Sequence, residues 1–303
     1  MNASHDFNPV PGVVELLEPG IRRILAPNPS PMTYRGTNTY LVGEGLVAVI
    51  DPGPDSPDHL RAVLAALTPT ERITQIFVTH SHLDHSPLGA ALSRATGAPI
   101  LAFGNSRAGR STVMENLAKT GLTAGGEGVD PDFAPHEILR DNETVEAGDR
   151  SLTALWTPGH FGNHLSFAVG DAVFSGDHVM GWATSLVSPP DGDLTDFMAS
   201  TRRLATRNDR VFYPGHGAPV HQPAERALWL LDHRRSREAQ ILERLGPEGS
   251  DIETLTRAIY TDVPAALLPA AFRNVFAHLI DLHGKNMVAT EPHLSHDARY
   301  YLR

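Results

Sequence analysis

With 303 residues, 41% of them hydrophobic and 20% charged, the sequence has the length and composition of a soluble globular protein of two domains. Its formal net charge of −10 is opposite to the basic surface that nucleic-acid binders need, and the absence of cysteine excludes disulfides, cysteine nucleophiles, thiolate zinc sites and iron–sulfur clusters. No apolar run approaches the ~20 residues of a membrane span, and the opening residues lack a secretory-signal pattern, so we expect a cytoplasmic protein that does not bind a membrane.

The first half of the chain predicts short strands followed by alternating helices and strands. Apolar runs separated by turn residues predict four strands, the last two joined by a hairpin at Glu44-Gly45: 13–17, 21–26, 39–42 and 46–50. Ser56 and Pro57 open a predicted helix that extends to residue 67. The largely apolar run 73–79 predicts a buried strand, and 87–95 predicts a second helix.

The middle of the chain contains a polar, glycine-rich stretch and then a second set of strands. Residues 104–135, with a short helix at 112–119, predict either a lid or a tolerated insertion. Strand patterns then return, with a helix before the last strand: 152–156, 165–169, 172–175, the helix 193–206, and 211–213. Strand runs with interspersed helices predict two sheets sandwiched between helices.

The pattern changes to helices after residue 222. A long amphipathic helix is predicted over 224–245, ended by Gly246-Pro247. Ser250 and Glu253 predict a capping box for a second helix to about residue 260. A third helix, 264–283, is ended by Gly284, and 287–303 predicts a hairpin. Because three helices and a hairpin are typical of a winged helix, we predict domains at 1–222 and 223–303.

A cluster of potential metal ligands follows the buried strand at 73–79. Residues 79–85 read Thr-His-Ser-His-Leu-Asp-His. His80 and His82 are two positions apart in an extended chain, so they point the same way and can share one ion. Asp84 and His85 lie where the chain turns into a helix and can reach a second ion. One histidine here would suit an ordinary core, whereas four ligating side chains within six positions predict a metal site.

Three more ligating groups lie at the ends of later strands, on loops that contain glycine. They are His160 after 152–156, Asp177 after 172–175, and His216 after 211–213. Such loops let the backbone approach a bound group closely. Together with the cluster they provide seven ligands, enough to hold two ions.

These motifs, the segment Gly-Thr-Asn-Thr-Tyr-Leu-Val at 36–42, and the three-helix tail resemble the metallo-β-lactamase superfamily over essentially the whole chain. The resemblance implies an α+β fold: an αββα sandwich with metals at one rim, followed by a small winged-helix-like C-terminal domain. It is nearest to the lactamase-β-2-like subfamily, some of whose members cut single-stranded RNA. Glyoxalase-II-like proteins share the ligand set, so the motifs predict the site more firmly than the substrate.

The resemblance assigns the ligands to two ions in three groups: His80, His82 and His160 for the first ion, Asp84, His85 and His216 for the second, and Asp177 as the bridge. It implies a hydroxide held between the ions and oriented by Asp84, which attacks a carbonyl or a phosphorus. Histidine and aspartate ligands suit Zn²⁺, and Mn²⁺ and Fe²⁺ accept the same set. Asp51 resembles a buried aspartate that orients a ligating imidazole, with a turn-capping role as the alternative.

Several neighbours allow two interpretations. His164 either donates to a substrate oxyanion or leaving group, or makes a structural hydrogen bond; His178 is likewise functional or structural. Residues 179–187 either wall an apolar substrate pocket or pack only on the tail, and 28–32 overhang the same rim. The remaining histidines are predicted at the surface or on helix faces: His5, His59, His136, His221, His233, His278, His283, His293 and His296.

The predicted function is a dinuclear-metal hydrolase of a small ester-, thioester-, lactone- or amide-like substrate. The alternative is a metal-dependent endoribonuclease that acts on single-stranded RNA. Charge disfavours it, because 224–303 carries a net −1 and 1–223 a net −9. The run 233–238, His-Arg-Arg-Ser-Arg-Glu, is predicted to be a solvated helix face. A metal-binding module that has lost its catalytic chemistry is disfavoured, because it would lack some of the ligands. Flavodiiron-type redox chemistry is disfavoured as well, because proteins of that type place a glutamate where His82 stands.

The C-terminal helices carry more apolar surface than three helices can hide from one another: Leu228, Leu231, Ile241, Phe272, Val275, Phe276 and Leu279. We therefore expect the tail to pack on the sandwich, where it walls part of the site, or on a second copy in a homo-oligomer. The predicted third helix offers only Arg273 and Asn274 for reading bases, which disfavours a role in nucleic-acid recognition.

Overall fold

A computed structural model describes residues 7–123, 128–147, 149–246 and 248–303. Its elements, in chain order, are β1 Val14–Glu18, β2 Ile21–Leu25, β3 Asn38–Val42, β4 Leu46–Ile50, α1 Pro57–Ala65, β5 Arg72–Phe77, α2 Leu88–Thr96, β6 Ile100–Ala102, α3 Thr112–Lys119, β7 Glu137–Ile138, β8 Thr144–Ala147, β9 Arg150–Trp156, β10 Leu165–Val169, β11 Ala172–Gly176, α4 Leu194–Ala205, β12 Val211–Pro214, α5 Pro223–Arg244, α6 Ile252–Ile259, a 3₁₀ turn Ala265–Leu267, α7 Leu268–Gly284, β13 Val288–Glu291 and β14 Arg299–Leu302.

Two sheets form the centre of the molecule. One has the order β1-β2-β3-β4-β5-β6-β7, and the other has the order β12-β11-β10-β9-β8. Alternate side chains of one strand face opposite layers: Tyr40 of β3 packs between the sheets, and Leu41 packs towards α1 and α2. Leu204 of α4 and Leu230 of α5 cover the outer face of the second sheet. The expected αββα sandwich is confirmed.

Three short strands, β6, β7 and β8, were not predicted. They contain two to four residues, and both residues of β7 are exposed. No apolar alternation marks segments of this kind. These segments adopt strand conformation because a neighbouring strand forms hydrogen bonds with their backbone, and that pairing depends on the tertiary structure.

Helix α6 begins with a different cap from the predicted one. Asp251 is the N-cap, and its carboxylate accepts a hydrogen bond from Thr254 N at 2.7 Å. The backbone of Ser250 instead pairs with that of Tyr300 in the terminal hairpin. The predicted capping box of Ser250 and Glu253 was therefore wrong. Pro247, one of the two residues predicted to end α5, lies outside the described residues.

Two of the histidines expected at the surface or on helix faces lie in the interior. His59 and His278 are each 1% exposed. His59 shares a hydrogen bond of 2.8 Å with Thr39 Oγ1, which fixes α1 against β3. His5 lies outside the described residues.

The C-terminal elements share a core of their own. Ile241 of α5, Leu255 of α6, Val275 of α7 and Tyr300 of β14 pack together, and Met114 of α3 joins them. Helix α3, within the stretch 104–135, thus packs against the core of the tail. The segment Ala265–Gly284 is apolar and long enough to cross a membrane, contrary to expectation, but half of that stretch is buried inside the protein. Packing accounts for its composition.

The tail packs on the sandwich, as one alternative expected, but through other residues than the named apolar surplus: Leu230 of α5 packs on the second sheet, and Ala277 of α7 packs with Leu194 and Phe197 of α4. Most of the named surplus lies in the tail's own core instead: Ile241, Phe272, Val275, Phe276 and Leu279. Leu231 is buried as well. Leu228 is an exception at 53% exposed, because it lies on the outer face of α5.

Candidate metal centre

The potential ligands come together because strand ends meet at one rim of the sandwich. Strands β4 and β5 run parallel, so Asp51 and the 79–85 segment leave their sheet at the same edge. In the second sheet β9, β11 and β12 point the same way, which places His160, Asp177 and His216 at its corresponding edge. The seven residues are all at most 6% exposed.

The ligating atoms form three overlapping groups, within each of which they lie no more than 4.8 Å apart: His80 with His82 and His160, His80 with His85 and Asp177, and Asp84 with His85 and His216. The first and third groups coincide with the two sets that the resemblance implies. Asp177 lies between them. Its Oδ2 is 3.8 Å from His160 Nε2 and 3.2 Å from His216 Nε2, and its Oδ1 is 3.5 Å from His85 Nε2.

Four of the five ligating imidazoles are held in a defined orientation by groups behind them. The Asp51 carboxylate can only accept, so His85 Nδ1 donates to it at 2.8 Å and His85 Nε2 faces the cluster. Thr79 Oγ1 donates to Asp51 and therefore accepts from His80 Nδ1 at 3.0 Å. Backbone carbonyls hold two more, since His160 Nδ1 donates to Leu186 O and His216 Nδ1 to Gly36 O.

The segment 36–42 fixes the second group of ligands, a role that its sequence did not reveal. Thr37 Oγ1 donates to Asp84 Oδ2 at 3.0 Å. Asn38 Nδ2 donates to Pro214 O and to Gly217 O, both at 2.9 Å, so it holds the turn that carries His216. In the sequence, only the hydroxyl of Thr37 and the amide of Asn38 indicated that these residues could hold other groups by hydrogen bonds. Their partners could not be predicted, because they lie 47 or more positions away.

One glycine is required by the close approach of two ligands. A Cβ on Gly215, next to His216, would collide with Asp177 Oδ1 and with the ring of His85. The segment 213–217, Tyr-Pro-Gly-His-Gly, therefore needs glycine at position 215 for space, which agrees with the predicted close approach of backbone on these loops.

Charges within the cluster shift its pKa values in opposite directions. Burial lowers the pKa of His80, and it lowers that of His82 to about 3, with neighbouring imidazoles adding to the effect. Burial opposes ionisation of Asp84 and Asp177, but adjacent imidazoles outweigh it and hold both pKa values well below the usual range. Burial likewise opposes protonation of His216, yet the two carboxylates raise its pKa to about 10. Both carboxylates are thus in the form that binds a cation.

The residues present fit a pair of divalent ions. Asp84 Oδ1, His85 Nε2 and Asp177 Oδ1 are buried and have no hydrogen-bond partner among the described residues. Buried polar atoms without partners are costly unless another group meets them. Only imidazole nitrogens and carboxylate oxygens line the cluster, a donor set that Zn²⁺, Mn²⁺ and Fe²⁺ all accept.

His164 and His178 lie behind the cluster. His164 is fully buried, its Nδ1 is 2.9 Å from Thr157 Oγ1, and its Nε2 lies against the backbone of Gly176. His178 is also fully buried, with its Nε2 2.9 Å from Thr201 Oγ1. Neither histidine lines the cavity described next, so the structural interpretation of both fits their positions.

A cavity of about 230 Å³ lies over the ligand cluster. Its floor contains His82, His160 and Asp177. The overhanging segments provide Pro31, Met32, Met180, Trp182, Ala183, Thr184 and Leu186, and the C-terminal elements provide Tyr260, Val263, Leu267, Ala270, Ala271 and Asn274. Both predicted overhangs, 28–32 and 179–187, reach the cavity, and the tail forms one of its walls.

The loop 179–187 lines this cavity and also packs on the tail, so the alternative in which it packs only on the tail was wrong. Arg226 of α5 donates to Met180 O and to Ala183 O, each at 2.7 Å. Arg234 donates to Ser185 O and, at 2.9 Å, to Asn274 Oδ1. Arg234 is 3% exposed, so the prediction of a solvated face for 233–238 was wrong at this position.

We expect Asp51→Asn to weaken the binding of the second ion about 10- to 100-fold. The two carboxylate oxygens of Asp51 accept from three donors, Thr79 N, Thr79 Oγ1 and His85 Nδ1, and an amide in either orientation would turn its NH₂ group towards at least one of them. Asparagine tolerates the positive φ of 51° here, so the backbone is unchanged. Competition with a chromogenic chelator measures the affinity. The exposed Asp55→Asn is the matched control, and equal affinities for the two variants would contradict the role of Asp51.

Comparison with known families gives two matches along the chain. The model described as "Metallo-beta-lactamase superfamily" matches residues 32–216, and that described as "Beta-lactamase associated winged helix domain" matches residues 252–293.

Individual proteins are similar over most of their length. "Beta-lactamase-like protein 2 homolog" of Drosophila melanogaster is 28% identical over 300 residues, covering 97% of both chains. "Atrochrysone carboxyl ACP thioesterase" of Aspergillus fumigatus is 27% identical over 274 residues, covering 88% of this chain and 78% of the relative. The crystal structure of a metallo-beta-lactamase family protein from Thermus thermophilus superposes with a TM-score of 0.76 at 25% identity, covering 95% of this chain and all of the other.

Proposed function

The chain belongs to the metallo-β-lactamase superfamily of metal-dependent hydrolases, and from this premise we propose that it uses two divalent ions, Zn²⁺ by preference, to hydrolyse a small apolar ester, thioester, lactone or amide. The proposed catalytic domain is residues 1–222, and the proposed winged-helix-like domain, residues 223–303, closes one side of its site.

The proposed substrate class follows from the residues that line the cavity. Outside its metal-binding floor the lining is mainly apolar, and no lysine or arginine belongs to it in the part of the chain that the structure describes. A phosphodiester backbone needs cationic partners, whereas an apolar acyl group needs a surface of this kind. The relative named as a thioesterase supports an acyl substrate.

In the proposed site, His80, His82 and His160 hold one ion and Asp84, His85 and His216 hold the other, with Asp177 between them. When bound, such ions lower the pKa of a water molecule and polarise the carbonyl that it attacks. Asp84 Oδ2 is engaged by Thr37 and by the adjacent imidazoles, while Oδ1 has no partner among the described residues. We assign the Asp84 carboxylate the task of orienting the attacking water and accepting its proton. The cavity walls exclude bulk water and position the acyl group.

A substrate panel tests the proposal on the full chain after metal loading. It contains a p-nitrophenyl ester, an N-acetylcysteamine thioester, a δ-lactone and a chromogenic β-lactam, each with an apolar acyl part, and labelled single-stranded RNA. We expect metal-dependent hydrolysis of at least one acyl compound, and its loss in the metal-free protein. Cleavage of the RNA alone, or of nothing, would contradict the proposal.

A further inference from the structure

On the basis of the proposed function, we propose that Asn274 of α7 donates a hydrogen bond from its amide nitrogen to a neutral oxygen of the substrate inside the cavity. The substrate class then narrows to apolar acyl compounds that carry a keto or hydroxyl oxygen away from the carbonyl that is attacked.

The orientation of the Asn274 amide follows from its partners. Its Oδ1 accepts from the backbone N–H of Val187 at 3.2 Å and from Arg234 Nη1 at 2.9 Å. A backbone N–H and a guanidinium can only donate. If the amide were flipped, its NH₂ group would face two donors, so the oxygen must face Val187 and Arg234.

The amide nitrogen is left on the open side of this network. Asn274 lines the cavity, and its Nδ2 donates to no residue in the described part of the chain. Arg234 is itself buried and bound to Ser185 O. The donor is therefore fixed in position before any substrate enters, on the wall that the tail contributes.

A fixed donor in an apolar wall discriminates between substrates. A compound without an acceptor would cover the Nδ2 hydrogens and leave them unpaired, which costs binding energy. A charged carboxylate would reach the same donor, but the described lining provides no cation to balance it. A neutral keto or hydroxyl oxygen satisfies the donor without that penalty.

The test uses the Zn²⁺-loaded full chain and thioesters of N-acetylcysteamine. One is octanoyl, and the others replace one chain methylene at a time with a carbonyl. We expect the wild type to prefer at least one keto thioester about tenfold in kcat/KM over octanoyl. In Asn274→Asp that ratio falls to about one, because the carboxylate still accepts from Val187 and Arg234 but offers no donor. Asn116→Asp, an exposed change of equal charge on α3, keeps the ratio.

The outcome separates this proposal from the proposed function. An unchanged ratio in Asn274→Asp, or no preference in the wild type, overturns the role of Asn274 while leaving the hydrolase intact. If no thioester is hydrolysed, the other acyl compounds of the substrate panel decide the proposed function, and binding decides the role of Asn274. The side-chain amide of Asn274, assigned by triple-resonance NMR in the wild type, must then shift with keto thioether analogues and not with the plain alkyl thioether. Equal shifts, or none, overturn the proposal.

Discussion

The Asp177→Ala variant is expected to retain less than about one metal ion per chain. Its rate of hydrolysis should fall about a thousandfold or more, because the ions are what make water nucleophilic at neutral pH. The carboxylate of Asp177 approaches imidazoles from both ligand groups: His160 at 3.8 Å, and His85 and His216 at 3.5 and 3.2 Å. His216→Ala removes a ligand from one group only and should retain about one ion. Elemental analysis after dialysis into metal-free buffer measures both contents.

A matched acid outside the site controls for the substitution itself. Asp171→Ala changes a residue whose carboxylate pairs with Arg210 in an exposed ion pair, so it should retain the wild-type metal content. Circular dichroism establishes that all three variants are folded. Equal metal content in Asp177→Ala and His216→Ala would exclude Asp177 as the group shared by two ions.

Arg234→Met is expected to lower the free energy of unfolding by about 2 kcal/mol and the melting temperature by about 4–8 °C. The substitution leaves Ser185 O and Asn274 Oδ1 without their buried donor, and it removes a guanidinium that lies 5.1 Å from the centre of the Phe197 ring. Burial lowers the pKa of Arg234 to about 10, so relief of this desolvation offsets part of the loss. The KM of an acyl substrate should rise, because Arg234 fixes the cavity wall.

The neighbouring arginine offers a control of the same chemistry. Arg235 pairs with Asp232 on the surface, and its side chain is 57% exposed. Arg235→Met should therefore change the free energy of unfolding by less than about 0.5 kcal/mol and leave KM unchanged. Thermal and urea unfolding compare the two variants. Equal effects of the two substitutions would contradict a stabilising role for the buried hydrogen bonds of Arg234.

Much of the ligand cluster could be predicted from the sequence because its signals are local. His80 and His82 share a side of an extended chain by strand geometry alone, and the other ligands each follow a recognisable strand. The αββα layers were predictable for the same reason, since strands buried on both faces are short apolar runs bounded by turn residues. The strands β6, β7 and β8 were missed because they have only two to four residues, too few to form such a run.

The sequence by itself thus determined the seven candidate ligands, the sandwich and the three-helix tail, whereas tertiary structure alone decided what covers the site. Arg234 looked solvated because its charged neighbours are on both sides in sequence, yet its partners are 40 and 49 positions away. Asn274 shows no motif, and its place in the cavity depends on how α7 packs against the loop 179–187. Contacts between distant segments leave no period in either segment. They exist only once both have folded against the same core.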